Sequence, residues 1–232
     1  RLEKILYTKG PLYDKAKIIN DKIIDAFLTK PTDRYFSISC LGAGDPFASK
    51  LTRDMLYNIK GNKFPNLQVF LGTNGLMFTE KVWNKMHKIH HNLFRCDISV
   101  DAGTKETYEQ KTRLGGDWEL LLTNCDFLNS ITNNYKNFVI AYYFVAQVEN
   151  YKEMPVFAKL FLDRYDNADQ LFFKKVNDWD TWNKEEFEQR AIWKTTHPDH
   201  EQFLDVLKDP IFDNPKIFLG NLTKYRNNAL NR

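Results

Sequence analysis

The alternation of two hydrophobic periods constrains the fold of this chain more than any other feature. Apolar residues at helical spacing, among them Ile19, Ile23 and Phe27, precede a strand-like segment at 35–41, and this exchange then repeats. Such alternation predicts a parallel sheet with helices outside it, as either an open sheet or a barrel. Four further strands are predicted, at 67–71, 95–101, 138–145 and 171–175.

The pattern changes after residue 176. Two short helices are predicted at 184–192 and 200–208, and a tail punctuated by prolines follows them. We therefore divide the chain into an α/β core at 1–176 and a short helical C-terminal extension at 177–232.

Charge and cysteine usage exclude several classes of protein. The 33 basic and 30 acidic residues leave a net charge of +3, which does not indicate a nucleic-acid partner. No apolar run has the length of a membrane span, so no membrane partner is expected. The widely spaced Cys40, Cys96 and Cys125 form no C-x-x-C pair and predict reduced thiols in a cytoplasmic protein.

Two groups of histidines could suggest a metal site. His87, His90 and His91 share one face of a predicted helix, but the H-E-x-x-H pattern is absent. We expect a solvated helix end there, and a helix-cap neighbourhood at His197 and His200.

One face of the third strand is unusually polar. Cys96, Ile98 and Val100 alternate with Asp97, Ser99 and Asp101, whereas parallel strands are usually apolar on both faces. This pattern fits a ligand held against the sheet, and it also fits a sheet edge in contact with water.

Glycine-containing turns follow three successive strands, at 42–46, 72–75 and 101–103. Ligands of parallel α/β folds bind at the carboxyl ends of strands, where glycines allow close approach to the backbone. Asp45 and Asp101 add carboxylates suited to an ammonium group and a ribose diol.

These turns resemble those of radical S-adenosylmethionine (SAM) enzymes. Gly42-Ala43-Gly44-Asp45-Pro46-Phe47 is similar to their G-x-G-[ED]-P-F stretch, and Thr73-Asn74-Gly75 to their T-N-G turn. Ser99-Val100-Asp101-Ala102 resembles their S-[IV]-D-A motif, and 104–117 their following helix-and-glycine segment. The order and spacing agree across residues 35–175. The ending Gly220-Asn221-Leu222 is similar to that of relatives with SPASM or twitch extensions.

The resemblance implies a partial (β/α)6 TIM-like barrel that lacks its first strand and its cluster loop, with SAM lying across the strand ends. Gly44 and Asp45 would meet the amino group of SAM, although Glu is common in the family where Asp45 stands. Ser99 and Asp101 would meet the ribose, and Arg113 would meet the carboxylate unless it faces solvent. The complete implied SAM set is Gly44, Asp45, Thr73, Asn74, Ser99, Asp101, Arg113 and Gln147.

The implied activity is that of an oxidoreductase. It would cleave SAM reductively to a 5′-deoxyadenosyl radical, which abstracts hydrogen from a peptide or small-molecule substrate. The cofactors would be SAM and a [4Fe–4S] cluster, and the reductant a flavodoxin or ferredoxin.

The chain departs from the family in lacking the C-x-x-x-C-x-x-C loop that holds this cluster. Arg1-Leu2-Glu3-Lys4 is similar to the stretch after the third of those cysteines, so we expect the cluster cysteines upstream of Arg1. On this interpretation the chain contains no metal ligand and no catalytic residue, and it is inactive alone. The alternative is a clusterless radical-SAM-like module that only binds.

Overall fold

The computed structural model describes residues 9–42, 44–165, 170–178 and 180–232. The motif residue Ala43 and the stretch Arg1–Lys4 lie outside these residues. Six parallel strands form one sheet, in which the strands lie side by side in chain order. The strands are Phe36–Cys40 (β1), Leu67–Thr73 (β2), Leu93–Ser99 (β3), Val139–Ala146 (β4), Gln170–Lys175 (β5) and Ile217–Phe218 (β6). The predicted parallel α/β sheet is thus confirmed, with β1 and β6 as its two outer strands.

Helical segments separate the strands, as the alternation predicted. Thr79 caps one of them by accepting a hydrogen bond from the Val82 N–H, and Asp117 caps another through the Leu120 N–H. No helix in the described part of the chain is both long enough and apolar enough to cross a membrane. The helices are Pro11–Phe27 (α1), Lys50–Asn58 (α2), Glu80–Lys85 (α3), Lys105–Thr107 (α4), Trp118–Thr132 (α5), Met154–Arg164 (α6), Lys184–Arg190 (α7), His200–Leu207 (α8) and Thr223–Leu230 (α9).

The chain divides into two compact units. The first unit comprises Arg1–Asp97 with Ser130–Val139, and the second comprises Ile98–Asn129 with Ile140–Arg232. The proposed boundary at residue 176 lies within the second unit and stays a prediction.

An aromatic cluster in the core of the first unit corrects one expectation. His90 is buried rather than solvated, and its ring stacks on Trp83 with centroids 3.9 Å apart. Its ring nitrogens bond to the Trp83 carbonyl at 2.9 Å and the Tyr135 hydroxyl at 3.0 Å. A 3₁₀ turn at His87–Asn92, in place of a continued helix, positions this ring, and burial lowers the pKa of His90.

Aromatic side chains also dominate the core of the second unit. Phe157 and Phe161 project from α6 with centroids 4.6 Å apart, and Phe161 also packs against Tyr142 of β4. All three are fully buried, and burial of each of the two phenylalanines stabilises the fold by about 1.5–3 kcal/mol. This packing fixes β4 against α6, and the loop between them carries part of the candidate site.

The short strand β6 was missed in the sequence. It pairs with β5 in parallel, with Leu171 opposite Ile217, and the Leu171 N–H donates to the Lys216 carbonyl at 2.8 Å. A strand of only two residues has no alternation of apolar and polar side chains that could have revealed it.

The helix α1 forms where the periodicity predicted it, but it buries none of its residues. Most of its apolar side chains remain exposed, at 60% for Ile19, 45% for Ile23 and 63% for Phe27. Helical spacing therefore predicted the secondary structure of this segment but not its burial.

Candidate functional site

The two faces of β3 differ as its sequence predicted. Cys96, Ile98 and Val100 are fully buried on one side, whereas Asp97 and Ser99 are half-buried on the other. The same holds in β2, where Leu67, Val69 and Leu71 are buried and the residues between them are half-buried. One face of these strands is therefore packed, and the other retains solvent contact.

In the first unit, the turn after β1 is joined to the turn after β2 by Asp45. One carboxylate oxygen accepts the hydroxyl of Thr73 at 2.6 Å and the N–H of Asn74 at 2.8 Å. The other accepts the Phe47 N–H at 2.9 Å. We call this group, with Gly44, the first corner.

The backbone of the first corner explains its residue types. Gly44 has a φ of +89° and is exposed, with no atom within 4 Å of the position that a β-carbon would take. This left-handed conformation favours glycine. Asp45 is half-buried, and the three hydrogen bonds leave one of the roughly four acceptor directions of a carboxylate for a ligand. The structure thus brings together four of the eight predicted SAM-binding residues.

In the second unit, Asp101 follows β3 and is buried. Its φ of +62° lies in the left-handed region, which aspartate tolerates better than most residues. One carboxylate oxygen accepts the Val145 N–H at 2.7 Å, and the other accepts a bond from the Arg113 guanidinium. Burial raises the pKa of the Asp101 carboxyl above its ordinary value, and the neighbouring Arg113 opposes that rise.

Asn150 completes this group of hydrogen-bonded residues. We call Asp101, Arg113, Val145, Gln147 and Asn150 together the second corner. The side-chain amide of Asn150 donates to the carbonyls of Asp101 and Val145, both at 2.9 Å. Its side-chain oxygen accepts the Gln147 N–H at 2.9 Å. Gln147 is thereby connected through Asn150 to Asp101, which links the ends of β3 and β4.

The turn after β3 is also held by a carboxylate that the sequence analysis did not identify as part of the site. Glu153 accepts the N–H groups of Gly103 at 2.8 Å and Thr104 at 3.1 Å, and the hydroxyls of Thr104 and Thr107 at 2.7 Å each. These four bonds occupy the roughly four acceptor directions of a carboxylate, so Glu153 positions the turn. Gly103 is required there, because a β-carbon would lie 2.9 Å from the Phe157 nitrogen.

Three predicted residues of the second unit retain unused polar groups. The Nε of Arg113 is buried with no hydrogen-bond partner in the described chain. Ser99 and Gln147 are half-buried, and no partner for their side chains is found among the described residues. These groups could therefore meet a polar ligand.

The cysteines do not fit an iron–sulfur cluster. Cys96 and Cys125 are fully buried, and Cys40 is half-buried. Burial raises the pKa of Cys125 to about 12 and that of Cys40 to about 11, which disfavours the thiolates that a cluster needs. Within residues 9–42, 44–165, 170–178 and 180–232, no group of three His, Cys, Asp or Glu side chains could hold a metal ion.

Comparisons with known proteins add no family. No protein-family model matches this chain, and no curated protein matches it. The fold and the geometry of the two corners define a parallel α/β protein with polar turns at its strand ends.

Proposed function

We propose that this chain is the SAM-binding core of a radical SAM enzyme, folded as a partial (β/α)6 barrel. The reaction proposed for the complete enzyme is reductive cleavage of SAM, followed by hydrogen abstraction from a peptide or small-molecule substrate. Three observations support this proposal: the parallel sheet, the half-buried polar side chains on one face of β3, and the order of the motifs.

The observation that carries the proposal is the pairing of Arg113 with Asp101. The carboxylate orients the guanidinium, and the buried Nε of Arg113 keeps a donor without a partner in the described chain. An arginine held in this way suits a ligand carboxylate, because its planar fork can donate two parallel hydrogen bonds. The carboxylate of SAM has this chemistry.

Each unit separately presents predicted residues whose polar groups suit one part of SAM. In the second unit, Ser99 and Gln147 present half-buried side chains without partners in the described residues, suited to hydroxyl and adenine groups. In the first unit, the open acceptor direction of Asp45 and the exposed backbone of Gly44 suit an ammonium group.

An iron–sulfur cluster would supply the electron for cleavage, and the cysteines of this chain do not fit it. We therefore place the cluster ligands outside this chain and assign no catalytic residue within it. Flavodoxin or ferredoxin remains the proposed reductant.

Binding of S-adenosylhomocysteine tests the proposal, because this analogue keeps the amino acid and nucleoside of SAM. We expect isothermal titration calorimetry to show binding to the chain and a loss of about tenfold for Arg113→Gln, from one lost charge-assisted contact. Arg164→Gln is the matched control, because Arg164 also pairs with an aspartate in the second unit but lies outside the site. A folded chain without measurable binding, or an equal loss in both variants, would overturn the proposal.

A second function is favoured by the burial of two of the three cysteines. It is a clusterless module that binds SAM-like nucleosides without reacting. Anaerobic iron–sulfur reconstitution of the full-length protein separates the two. Visible absorbance near 400 nm (roughly the region of Fe–S charge transfer) and production of 5′-deoxyadenosine favour the enzyme. Nucleoside binding without either signal favours the module.

A further inference from the structure

Three lysines of the second unit belong to segments that meet at the end of β5, and we call Lys175, Lys194 and Lys224 the lysine cluster. The Lys175 ammonium lies 4.3 Å from the centroid of the Trp193 ring, and Lys194 is the next residue in the chain. The Lys175 N–H donates to the Asn221 side chain at 3.0 Å, and Lys224 follows three residues after Asn221. Both neighbouring lysines therefore belong to segments that contact Lys175.

The positive charge of this cluster is poorly balanced. Lys194 forms an ion pair with Glu188, whereas Lys175 and Lys224 have no carboxylate partner in the part of the chain that the structure describes. Among the described residues, the polar contact of the Lys175 ammonium is with the neutral side chain of Asn177, at 3.5 Å, and it also lies over the Trp193 ring. Burial and then the charges of Lys224 and Lys194 lower the pKa of Lys175, so an anion beside them would relieve a repulsion.

The residues around the lysine cluster favour binding of a small ligand over binding of a flat, charged partner surface. Trp193 is buried and forms an apolar wall beneath the Lys175 ammonium. Gly220, with a φ of +49°, brings the Asn221 segment against β5, where a β-carbon would lie 3.3 Å from the Phe173 carbonyl. In the lysine cluster, Lys175 is half-buried, whereas Lys224 and the neighbouring Asn177 are exposed.

We propose that the lysine cluster is a binding site for an oxyanion, such as the phosphate or carboxylate group of a small molecule. Lys175 would donate from the floor of the site and Lys224 from its rim, with Lys194 adding charge while it remains paired with Glu188. Charge-assisted hydrogen bonds from ammonium groups are the ordinary means of holding such anions. This proposal is independent of SAM and of the iron–sulfur cluster.

Lysine labelling of the unaltered chain tests the site directly. The initial rate of acetylation at each lysine would be measured by mass spectrometry, with pyrophosphate or citrate present at ten times its dissociation constant. About one site in eleven is then free, so Lys175 and Lys224 should react about tenfold more slowly. Lys159 and Lys208, which pair with aspartates elsewhere in the second unit, should react at unchanged rates.

The two anions distinguish the source of the ligand group. Protection by pyrophosphate alone identifies a phosphate site, and protection by citrate alone identifies a carboxylate site. Absence of protection by both anions, or equal protection of Lys159 and Lys208, overturns the proposal.

A pair of double variants provides a second measurement. In calorimetry, Lys175→Gln with Lys224→Gln should weaken binding of the protective anion at least about tenfold, from two lost charged donors. Lys159→Gln with Lys208→Gln removes the same net charge and should change binding less than about twofold. Equal weakening in both would assign the effect to net charge and reject a specific site.

Discussion

In both the first and the second corner an aspartate holds the turn that follows a strand, but the two carboxylates lie in different electrostatic environments. Asp45 is half-buried and is held by two backbone N–H groups and the Thr73 hydroxyl, all neutral donors. Asp101 is buried in a left-handed conformation and is held by one backbone N–H and a guanidinium. Each carboxylate joins the turn after its own strand to a neighbouring strand or turn.

This difference separates two ways of building a polar turn. Neutral donors suit a carboxylate near solvent, because its charge is still partly hydrated. A buried carboxylate requires a compensating charge, and that charge makes the turn depend on one long-range pair. The first corner should therefore tolerate single substitutions better than the second.

The largest expected effect comes from removing the charge partner in the second corner. Arg113→Met leaves the Asp101 carboxylate buried with one backbone donor, and we expect the free energy of unfolding at pH 7 to fall by about 3 kcal/mol. Urea denaturation measures this change. The control Arg164→Met removes an exposed ion pair with Asp126 and should cost less than about 1 kcal/mol.

The same variant should change the pH dependence of stability. Because burial raises the native pKa of Asp101 above its ordinary 3.8, the native state binds this proton more tightly than the unfolded state. Stability contributed by this group therefore falls as pH rises from 3.8 through the native pKa, and Arg113→Met should steepen that fall. The loss measured at pH 7 should shrink at pH 4, and a loss that is constant with pH contradicts this account.

A smaller effect is expected from Glu153→Gln, which keeps the shape of the side chain but removes the charge that four hydrogen bonds share. Charge-assisted bonds are about twice as strong as neutral ones, so we expect unfolding to become easier by about 2 kcal/mol. Glu106→Gln, at an exposed position of α4, should change stability by less than about 0.5 kcal/mol. Equal effects would show that Glu153 does not hold the turn after β3.

Thr73→Val tests the first corner by removing a hydroxyl while keeping the volume of the side chain. That hydroxyl donates to Asp45 and accepts the Gly75 N–H at 3.1 Å. We expect a loss of about 1–2 kcal/mol in thermal or urea unfolding. A loss larger than that of Arg113→Met would reverse the comparison between the corners.

Ser99→Ala should have the smallest effect on stability, below about 0.5 kcal/mol, because the described chain offers this hydroxyl no partner. Binding of S-adenosylhomocysteine should nevertheless weaken by about threefold to tenfold if the hydroxyl meets the ligand. Calorimetry and urea unfolding on the same sample separate the two effects. Unchanged affinity would remove Ser99 from the proposed site.

Local sequence signals predicted much of the fold. The alternating strands and the polar face of β3 both depend on residues a few positions apart. The sequence also predicted that Asp45, Thr73 and Asn74 belong to one candidate site, because successive parallel strands place their carboxyl ends at one edge of the sheet.

Long-range contacts account for what the sequence did not reveal. Glu153 bonds to residues 46–50 positions away, and nothing near it distinguishes it from an ordinary acidic residue at a helix start. His90 is buried because Trp83 and Tyr135 enclose its ring, and Tyr135 lies 45 residues away. The pairing of β6 is likewise specified by β5 rather than by its own two residues.

The two fully buried thiols give each unit its own reporter of local opening. Cys96 belongs to the first unit and Cys125 to the second, and neither exposes surface to a reagent in the folded chain. Alkylation requires an accessible thiolate, so iodoacetamide should modify each cysteine only when its surroundings open. Timed alkylation with peptide mapping would therefore show, in a single unlabelled sample, which of the two units opens first.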